Sequence, residues 1–189
     1  MKKPSMRDII ADTALEILNN KLVEDLTVAE IIRDIGISNR TFYNHFRDKF
    51  DVCNYIYNRM LDNECWITDG RRSSLSEFFD KFTDLCGGKY ARFFFSTAFY
   101  YGQDNLQDHI VTKGVEDLKE QLIRTGNEHL INDKNMSMLE FYMRGLAGTT
   151  QYYVRRKIQI VGHGVQLDMT RILPTDLFDA LTATPIKNK

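Results

Sequence analysis

A run of short polar side chains surrounds an arginine in the stretch from residue 38 to residue 44. An arginine can hold a guanine in the major groove of DNA through two hydrogen bonds, and an asparagine can hold an adenine in the same way. Each such contact discriminates between bases by about 1–3 kcal/mol. The side chains that we predict to read base edges are Ser38, Asn39, Arg40, Thr41 and Asn44.

A second group of side chains suits the phosphate backbone, whose contacts fix the position of a protein on DNA without reading its sequence. Tyr43, His45 and Lys49 carry hydrogen-bond donors close to the polar run. The N-terminus of a helix also attracts phosphate, because its free amides point outward and the helix dipole is positive there. The helix starts predicted near Thr27 and Asp48 therefore add backbone amides to the same group.

Two short helices are predicted to position these side chains. Thr27 and Glu30 have the spacing of a capping box, in which each side chain accepts a hydrogen bond from the other residue's amide. The helix they begin ends at Gly36, which readily adopts the left-handed conformation found at helix ends. Ser38 is a preferred N-cap for a further helix at 39–46. Two helices joined in this way form a helix-turn-helix, which places its second helix in the major groove.

The hydrophobic spacing in the rest of the chain is that of helices with one buried face. No segment has the clear alternation of a strand, and the stretch 158–171 fits neither pattern well. We therefore predict an all-α fold of about nine helices, with a helix-turn-helix domain at 1–50 and a helical domain at 51–189. Besides 28–35 and 39–46, the predicted helices are 5–20, 48–66, 75–86, 90–101, 106–130, 135–157 and 174–184.

The N-terminal sequence resembles the signature of the TetR family of bacterial regulators over roughly residues 1–50. The resemblance rests on the runs Thr27-Val28-Ala29-Glu30-Ile31-Ile32, Gly36-Ile37-Ser38 and Thr41-Phe42-Tyr43-Asn44-His45-Phe46-Arg47-Asp48-Lys49. The resemblance implies that one set of side chains touches the DNA backbone, namely Thr27, Thr41, Tyr43, His45 and Lys49. It implies that a second set faces the major groove, namely Ser38, Asn39, Arg40 and Asn44.

Within the family, the run Ser-Asn-Arg-Thr-Phe-Tyr is similar to the dihydroxyacetone-kinase-regulator-like branch, and the stretch 99–105 is more loosely similar to it. Arg40 stands where many members of the family carry glycine. The base preference of this chain therefore does not follow from the resemblance.

The overall charge gives a DNA interpretation little support. The formal net charge is -1, and nine basic residues are matched by nine acidic residues up to Met60. A basic surface then requires the acids closest to the motif, Asp34 and Asp48, to face away from it. We expect modest affinity for non-specific DNA and a marked dependence of that affinity on salt.

The resemblance implies that the residues after about Asp51 bind a small-molecule effector and pair two subunits. The sequence there is rich in aromatic side chains, which either pack in the core or line an apolar pocket. The side chains that we predict to contact the effector are Trp66, Phe95, Phe99, Tyr142 and Tyr152.

Small residues on the helix predicted at 135–157 permit close approach of a second helix. They are Gly145, Ala147 and Gly148, and the approaching helix belongs either to the same chain or to a second copy. The resemblance implies the second copy, because the last two helices of family members form a four-helix bundle between subunits. In such a homodimer, two recognition helices about 34 Å apart read a palindromic operator.

Enzymatic and metal chemistry have little support in the sequence. The four histidines are scattered, and the three cysteines lack metal-binding spacing and suggest reduced thiols in a cytoplasmic protein. No cofactor, signal peptide or membrane span is predicted. Two function classes stay open, with an enzyme as a distant third. One is a repressor that a small molecule releases from its operator, and the other is a co-regulator or activator that acts through a protein partner.

Overall fold

The computed structural model describes residues 4–68, 70–98, 100–157 and 171–183. The nine α-helices in these ranges confirm the predicted all-α class. They are α1 (Met6–Leu18), α2 (Val28–Ile35), α3 (Asn39–Tyr43), α4 (Lys49–Met60), α5 (Leu75–Gly87), α6 (Ala91–Thr97), α7 (Leu106–Arg124), α8 (Asp133–Arg155) and α9 (Thr175–Thr182). Phe99 and nearly all of the stretch 158–171 lie outside the described residues.

Side chains that cap backbone amides explain where several helices begin. Ser5, Thr27 and Ser74 each form a complete capping box at the start of α1, α2 and α5. At the start of α4, Oδ1 of Asp48 accepts hydrogen bonds from the amides of the second and third residues that follow it, at 2.8 and 2.9 Å. These contacts satisfy amides that have no partner within the helix, so the local sequence determines the helix starts.

Besides α4, three helices end at least three residues earlier than the hydrophobic spacing predicts. The last residues are Tyr43 in α3, Thr97 in α6 and Arg124 in α7, where the predictions were 46, 101 and 130. After α7, the hydroxyl of Thr125 donates to two carbonyl oxygens of the last helical turn, and Gly126 adopts a positive φ of 74°. Polar capping therefore ends α7 although apolar residues continue at helical spacing.

The segment between α4 and α5 differs most from the prediction. A π-helical turn at Leu61–Cys65 follows α4, and two short antiparallel strands follow the turn, β1 (Ile67–Thr68) and β2 (Arg71–Arg72). No clear alternation in the sequence marks these strands. Strands of two residues are too short for hydrophobic alternation to reveal them. Gly70 connects them with a φ of 75°, a conformation that glycine adopts easily.

One hydrophobic core extends through the helices and joins the helix-turn-helix to the rest of the chain. Helix α1 packs against α2, α4 and α6, and α7 and α8 pack along each other. Gly114 permits their close approach, because a Cβ at this position would collide with Met143. Helix α4 contacts both α1 and α7 and so links the two parts of the core. None of the described helices is both long enough and apolar enough to cross a bilayer.

Candidate DNA interface and ligand cavity

The helix-turn-helix has the predicted contacts at both ends of α2. The hydroxyl of Thr27 accepts a hydrogen bond from the amide of Glu30 at 3.2 Å, and the Glu30 carboxylate accepts one from the amide of Thr27 at 3.1 Å. Gly36 ends the helix in the left-handed region, at φ 78° and ψ 34°. A Cβ at Gly36 would meet no atom within 4 Å, so its backbone conformation rather than crowding favours glycine. The predicted capping box and helix end are confirmed.

Two phenylalanines hold α3 and the turn after it against the core. Phe42 is completely buried, and Phe46 is only 2% exposed. The ring of Phe46 lies 5.5 Å from that of Tyr55 on α4, and the guanidinium of Arg7 on α1 lies 4.8 Å above it. Because these rings occupy the inner side of α3, its polar side chains are turned toward solvent.

The nine side chains predicted to contact DNA all lie outside the buried core. The exposed ones are Thr27, Ser38, Asn39, Arg40, Tyr43 and Asn44. The half-buried ones are Thr41, His45 and Lys49. Asn44 and His45 follow α3 in a turn, in which the amide of His45 donates to the carbonyl of Phe42 at 2.9 Å. The surface is accessible, and the contacts of these side chains with DNA stay a prediction.

Arg40 differs from the other arginines near the motif. Arg33 forms an ion pair with Asp34 at 3.2 Å, and Arg47 forms one with Asp51 at 3.9 Å. Within the described part of the chain, the Arg40 side chain has no hydrogen bond, ion pair or ring contact. Among the described residues, no polar or ring contact would have to break for this guanidinium to reach a base.

Lys49 has a structural contact that the sequence analysis missed. Its ammonium donates hydrogen bonds to the carbonyl oxygens of Glu24 and Leu26, each at 2.8 Å. These bonds tie the first residue of α4 to the loop that leads into α2. An ammonium has three donors, so one is left for a phosphate. No local sequence pattern reveals this contact, because more than twenty residues separate the partners.

The acidic residues near the motif are occupied by contacts of their own. The carboxylate of Glu30 binds the ammonium of Lys21 at 2.5 Å, and this hydrogen bond lowers its pKa. The Asp48 carboxylate caps α4, and that of Asp51 accepts a hydrogen bond from the amide of Arg47 at 3.0 Å. These contacts fix the positions of the carboxylates, but each ion pair also engages a base, so the balance of nine acids and nine bases up to Met60 is unchanged.

Comparison with known proteins decides the nature of this segment. Residues 10–55 match the family described as bacterial regulatory proteins, tetR family. They form a TetR-family N-terminal domain. Two HTH-type transcriptional regulators of Staphylococcus aureus, from strains USA300 and COL, are each 36% identical to this chain over 56 residues. That match covers 30% of this chain and 30% of each relative.

Beyond the TetR-family domain, the helices surround a cavity. It encloses about 860 Å³, including its opening to solvent, and lies among residues of α4 to α8 and of the segment between α4 and α5. Its walls are mainly apolar, and the aromatic rings among them belong to Tyr57, Trp66, Phe78, Phe79, Phe82 and Phe94. Apolar clefts with a few polar groups in their walls commonly hold small organic ligands.

One of the predicted effector contacts, Trp66, lies in the cavity wall. Phe95 is half-buried outside it, with the cations of Arg92 and Lys157 at 5.9 and 5.5 Å from its ring. Tyr142 is buried in the core but does not line the cavity, and Tyr152 is 47% exposed. Phe99 lies outside the described residues.

The neighbours of these aromatic residues line the cavity in their place. Phe94 does so on α6, and Met143 and Gln151 do so on α8. Successive residues of an α-helix point about 100° apart, so an error of one position moves a side chain off the wall. Ala147 also lines the cavity, which makes this residue unavailable to a second subunit.

The sequence analysis also missed the one carboxylate in the described part of the wall, which belongs to Asp117. Its Oδ2 accepts a hydrogen bond from Nε1 of Trp66 at 3.3 Å, and its Oδ1 accepts one from the ammonium of Lys113. Asp117 is 6% exposed. On the sequence it looks like an ordinary charge on a solvated helix, because its tryptophan partner is 51 residues away.

Helix α4 connects the cavity with the candidate DNA interface. Its Tyr57 lines the cavity, and burial raises the pKa of this phenol well above its ordinary value. The next residue, Asn58, is hydrogen-bonded through its Oδ1 to Nε2 of His109 on α7 at 2.8 Å. Burial also lowers the pKa of His109. Since Lys49 at the other end of α4 holds the loop before α2, one rigid helix contacts both regions.

Proposed function

We propose that this protein is a cytoplasmic, DNA-binding transcriptional regulator that acts as a homodimer on a palindromic operator. In this proposal it is a repressor, and a small-molecule effector bound in the cavity releases it from DNA. The observation that carries the DNA-binding function is the orientation of α3, with Phe42 completely buried and Arg40 and Asn44 exposed. The names of the matched staphylococcal relatives support the same function.

The effector part of the proposal rests on α4. A ligand that displaces Tyr57 moves the helix whose first residue, Lys49, holds the loop before α2. Displacement of α4 therefore changes the position of the helix-turn-helix relative to α7. The similarity to the dihydroxyacetone-kinase-regulator-like branch stays a prediction, since the family match and the relatives do not distinguish between branches.

The homodimer part of the proposal rests on one side of α8. Phe141 is 75% exposed and Tyr152 is 47% exposed. Gly145 is exposed as well, with open space where a Cβ would stand. These positions lie four and eleven residues apart along the helix, which places them on the same side. A second copy that packs there buries two large aromatic side chains around a glycine that permits close approach.

A gel shift with the DNA that flanks the protein's own gene tests the proposed function. We expect a retarded band that requires both halves of a palindrome, and matched DNA with one half-site scrambled serves as the control. If dimeric protein retards no segment of this DNA, the repressor proposal fails. The alternative, a regulator that acts through a protein partner, then becomes the better explanation.

Replacement of Lys49 by alanine is expected to weaken binding to all DNA sequences about equally, because a phosphate contact carries no base information. The slope of log affinity against log salt concentration is expected to fall by about one. Titrations of operator and unrelated DNA at several salt concentrations measure both quantities. Lys89→Ala removes a lysine that pairs with Glu64 far along the chain, and it should leave the slope unchanged. An unchanged slope in Lys49→Ala would mean that this ammonium serves only the loop before α2.

Replacement of Phe141 by glutamate is expected to weaken the homodimer, because it places a charge at the centre of an apolar contact. A central aromatic contact of this kind contributes about 2 kcal/mol, or roughly thirtyfold in the dimer Kd. Sedimentation equilibrium measures this constant. Ile123→Glu changes a similarly apolar residue of α7, which is 46% exposed, and should leave the Kd unaltered. Equal effects of the two substitutions would exclude the Phe141 side of α8 as the interface.

A further inference from the structure

The cavity is elongated along α7. Four of the residues that line it, Gln107, Ile110, Gly114 and Asp117, recur every three or four positions on one side of this helix. The ten helical steps from Gln107 to Asp117 span about 15 Å, at the rise of an α-helix. Helix α8 runs in the opposite direction along the same cavity, since its Met143 packs on Gly114 while its later residues lie beside Gln107.

One end of the cavity is aromatic. Asp117 marks this end, because its carboxylate accepts the hydrogen bond from the indole of Trp66. The ring of Phe78 lies 4.1 Å from that of Trp66, and the ring of Phe82 stacks on Phe78 at 6.1 Å. Flat or aliphatic groups of a ligand can bury apolar surface against these rings without needing a polar partner.

The other end offers uncharged hydrogen-bonding groups. Gln107 and Thr150 line it, and neither side chain is hydrogen-bonded to any residue in the described ranges. Gln151 donates its amide to the carbonyl of Ala98 at 2.8 Å, and its own carbonyl oxygen accepts nothing from a described residue. An amide and a hydroxyl are therefore available together to a ligand that has a polar group at this end.

The described wall offers no free charge to a ligand. It contains no lysine, arginine or histidine, and its carboxylate is already bonded to Trp66 and neutralised by Lys113. A bound cation would have to compete with Lys113 for Asp117, and a bound anion would find no cationic side chain among the lining residues, since Arg72 packs on the ring of Trp66 at 4.1 Å without lining the cavity. Burial of a charge without a partner costs several kcal/mol, so the wall selects against both.

We infer that the cavity binds an elongated, uncharged amphiphile. Its apolar body lies along α7 toward Trp66, and its head is a hydroxyl, carbonyl or amide that bonds to Gln107 and Thr150. This inference rests on the proposed function in one respect, which is that the cavity is the effector site.

A competition experiment with the full-length protein in the absence of DNA tests this inference. Trp66 is the only tryptophan of the chain, so its fluorescence reports directly on the cavity. The neutral dye N-phenyl-1-naphthylamine is expected to bind at one saturable site and to quench Trp66. The competitors are 1-decanol, decanoate and decyltrimethylammonium, which share a decyl chain and differ in the charge of the head. We expect 1-decanol to displace the dye at concentrations at least about tenfold lower than either charged compound.

Two neighbouring threonines on α8 provide a matched pair of variants. Thr150 lines the cavity and Thr149 does not. Thr150→Val replaces a hydroxyl by a methyl group of similar size. It is expected to weaken the binding of 1-decanol about fivefold, which is the contribution of one hydrogen bond. It should change dye affinity by less than about twofold, since the dye depends on apolar contacts. Thr149→Val should alter neither affinity, and circular dichroism verifies that both variants are folded.

Three results would overturn the inference. They are equal displacement by charged and uncharged decyl compounds, absence of saturable dye binding, and equal effects of Thr149→Val and Thr150→Val. The gel shift described above is a separate readout of the proposed function. A protein that prefers 1-decanol but binds no DNA keeps the inference about ligand class and loses the regulator function. A protein that binds its operator but fails the competition test loses only the inference.

Discussion

Replacement of Arg40 by alanine is expected to relax the base preference at one position in each half of the operator. The expected loss of discrimination is about 1–3 kcal/mol, or roughly five- to 150-fold in relative affinity. The physical reason is that the exposed guanidinium is engaged by none of the described residues and can present both donors of its fork to a guanine. Binding measured on operators that carry each of the four base pairs at every position determines this quantity.

Two further substitutions separate base reading from charge. Arg40→Lys keeps the positive charge but loses the two-pronged geometry, so it should lose discrimination and retain the dependence on salt. Arg33→Ala removes an exposed arginine that is paired with Asp34 on α2, and it should leave base preference unaltered. The Arg40 side chain makes no hydrogen bond, ion pair or ring contact with the described residues, so its replacement should change the free energy of unfolding little. If Arg40→Ala retained the wild-type base preference, the predicted reading role would be wrong and Asn39 or Asn44 would have to supply it.

The helix-turn-helix was predictable because local rules determine it. A threonine followed three residues later by a glutamate caps α2, a glycine ends it in the left-handed region, and a serine begins α3. Each of these contacts joins residues at most four positions apart, so short-range chemistry is sufficient to identify them. The inward orientation of Phe42 follows from the same short segment, and with it the outward orientation of the polar side chains.

The cavity was not predictable at the level of single residues. Its existence follows from aromatic composition, but its walls depend on how far each helix is rotated about its axis. Phe94 rather than Phe95 lines it, and Met143 rather than Tyr142 does so. No pattern in the sequence fixes such a rotation when adjacent residues are both large and apolar.

Contacts between residues far apart in the sequence could not be predicted either. Lys49 reaches carbonyl oxygens more than twenty positions earlier, and Asp117 meets the indole of Trp66 across 51 positions. Lysine and aspartate are usually solvated, so their burial is apparent only after the chain has folded. The early end of α7 has a similar cause, because apolar spacing continued past the polar cap at Thr125.

Replacement of Asp117 by alanine is expected to reduce the free energy of unfolding by about 3 kcal/mol, near the lower end of the range for one partner of a buried ion pair. The substitution leaves the indole N–H of Trp66 and the ammonium of Lys113 without their acceptor. The lower end applies because the Lys113 side chain is 19% exposed and can turn partly toward water. Urea denaturation followed by Trp66 fluorescence and by circular dichroism measures the change.

A double-mutant cycle attributes this loss to the pair rather than to a cavity left by the truncation. The cycle uses Lys113→Met, Asp117→Leu and their combination, and the double variant, which removes both charges, should be more stable than either single variant. The matched control is Glu140–Arg144 on α8, which has the same spacing but is 52% and 57% exposed. Exposed pairs contribute little, so its cycle should show almost no coupling. Equal coupling in the two cycles would mean that water screens Asp117 as well. The described wall of the cavity would then hold an accessible negative charge, and its expected preference for uncharged ligands would have no electrostatic basis.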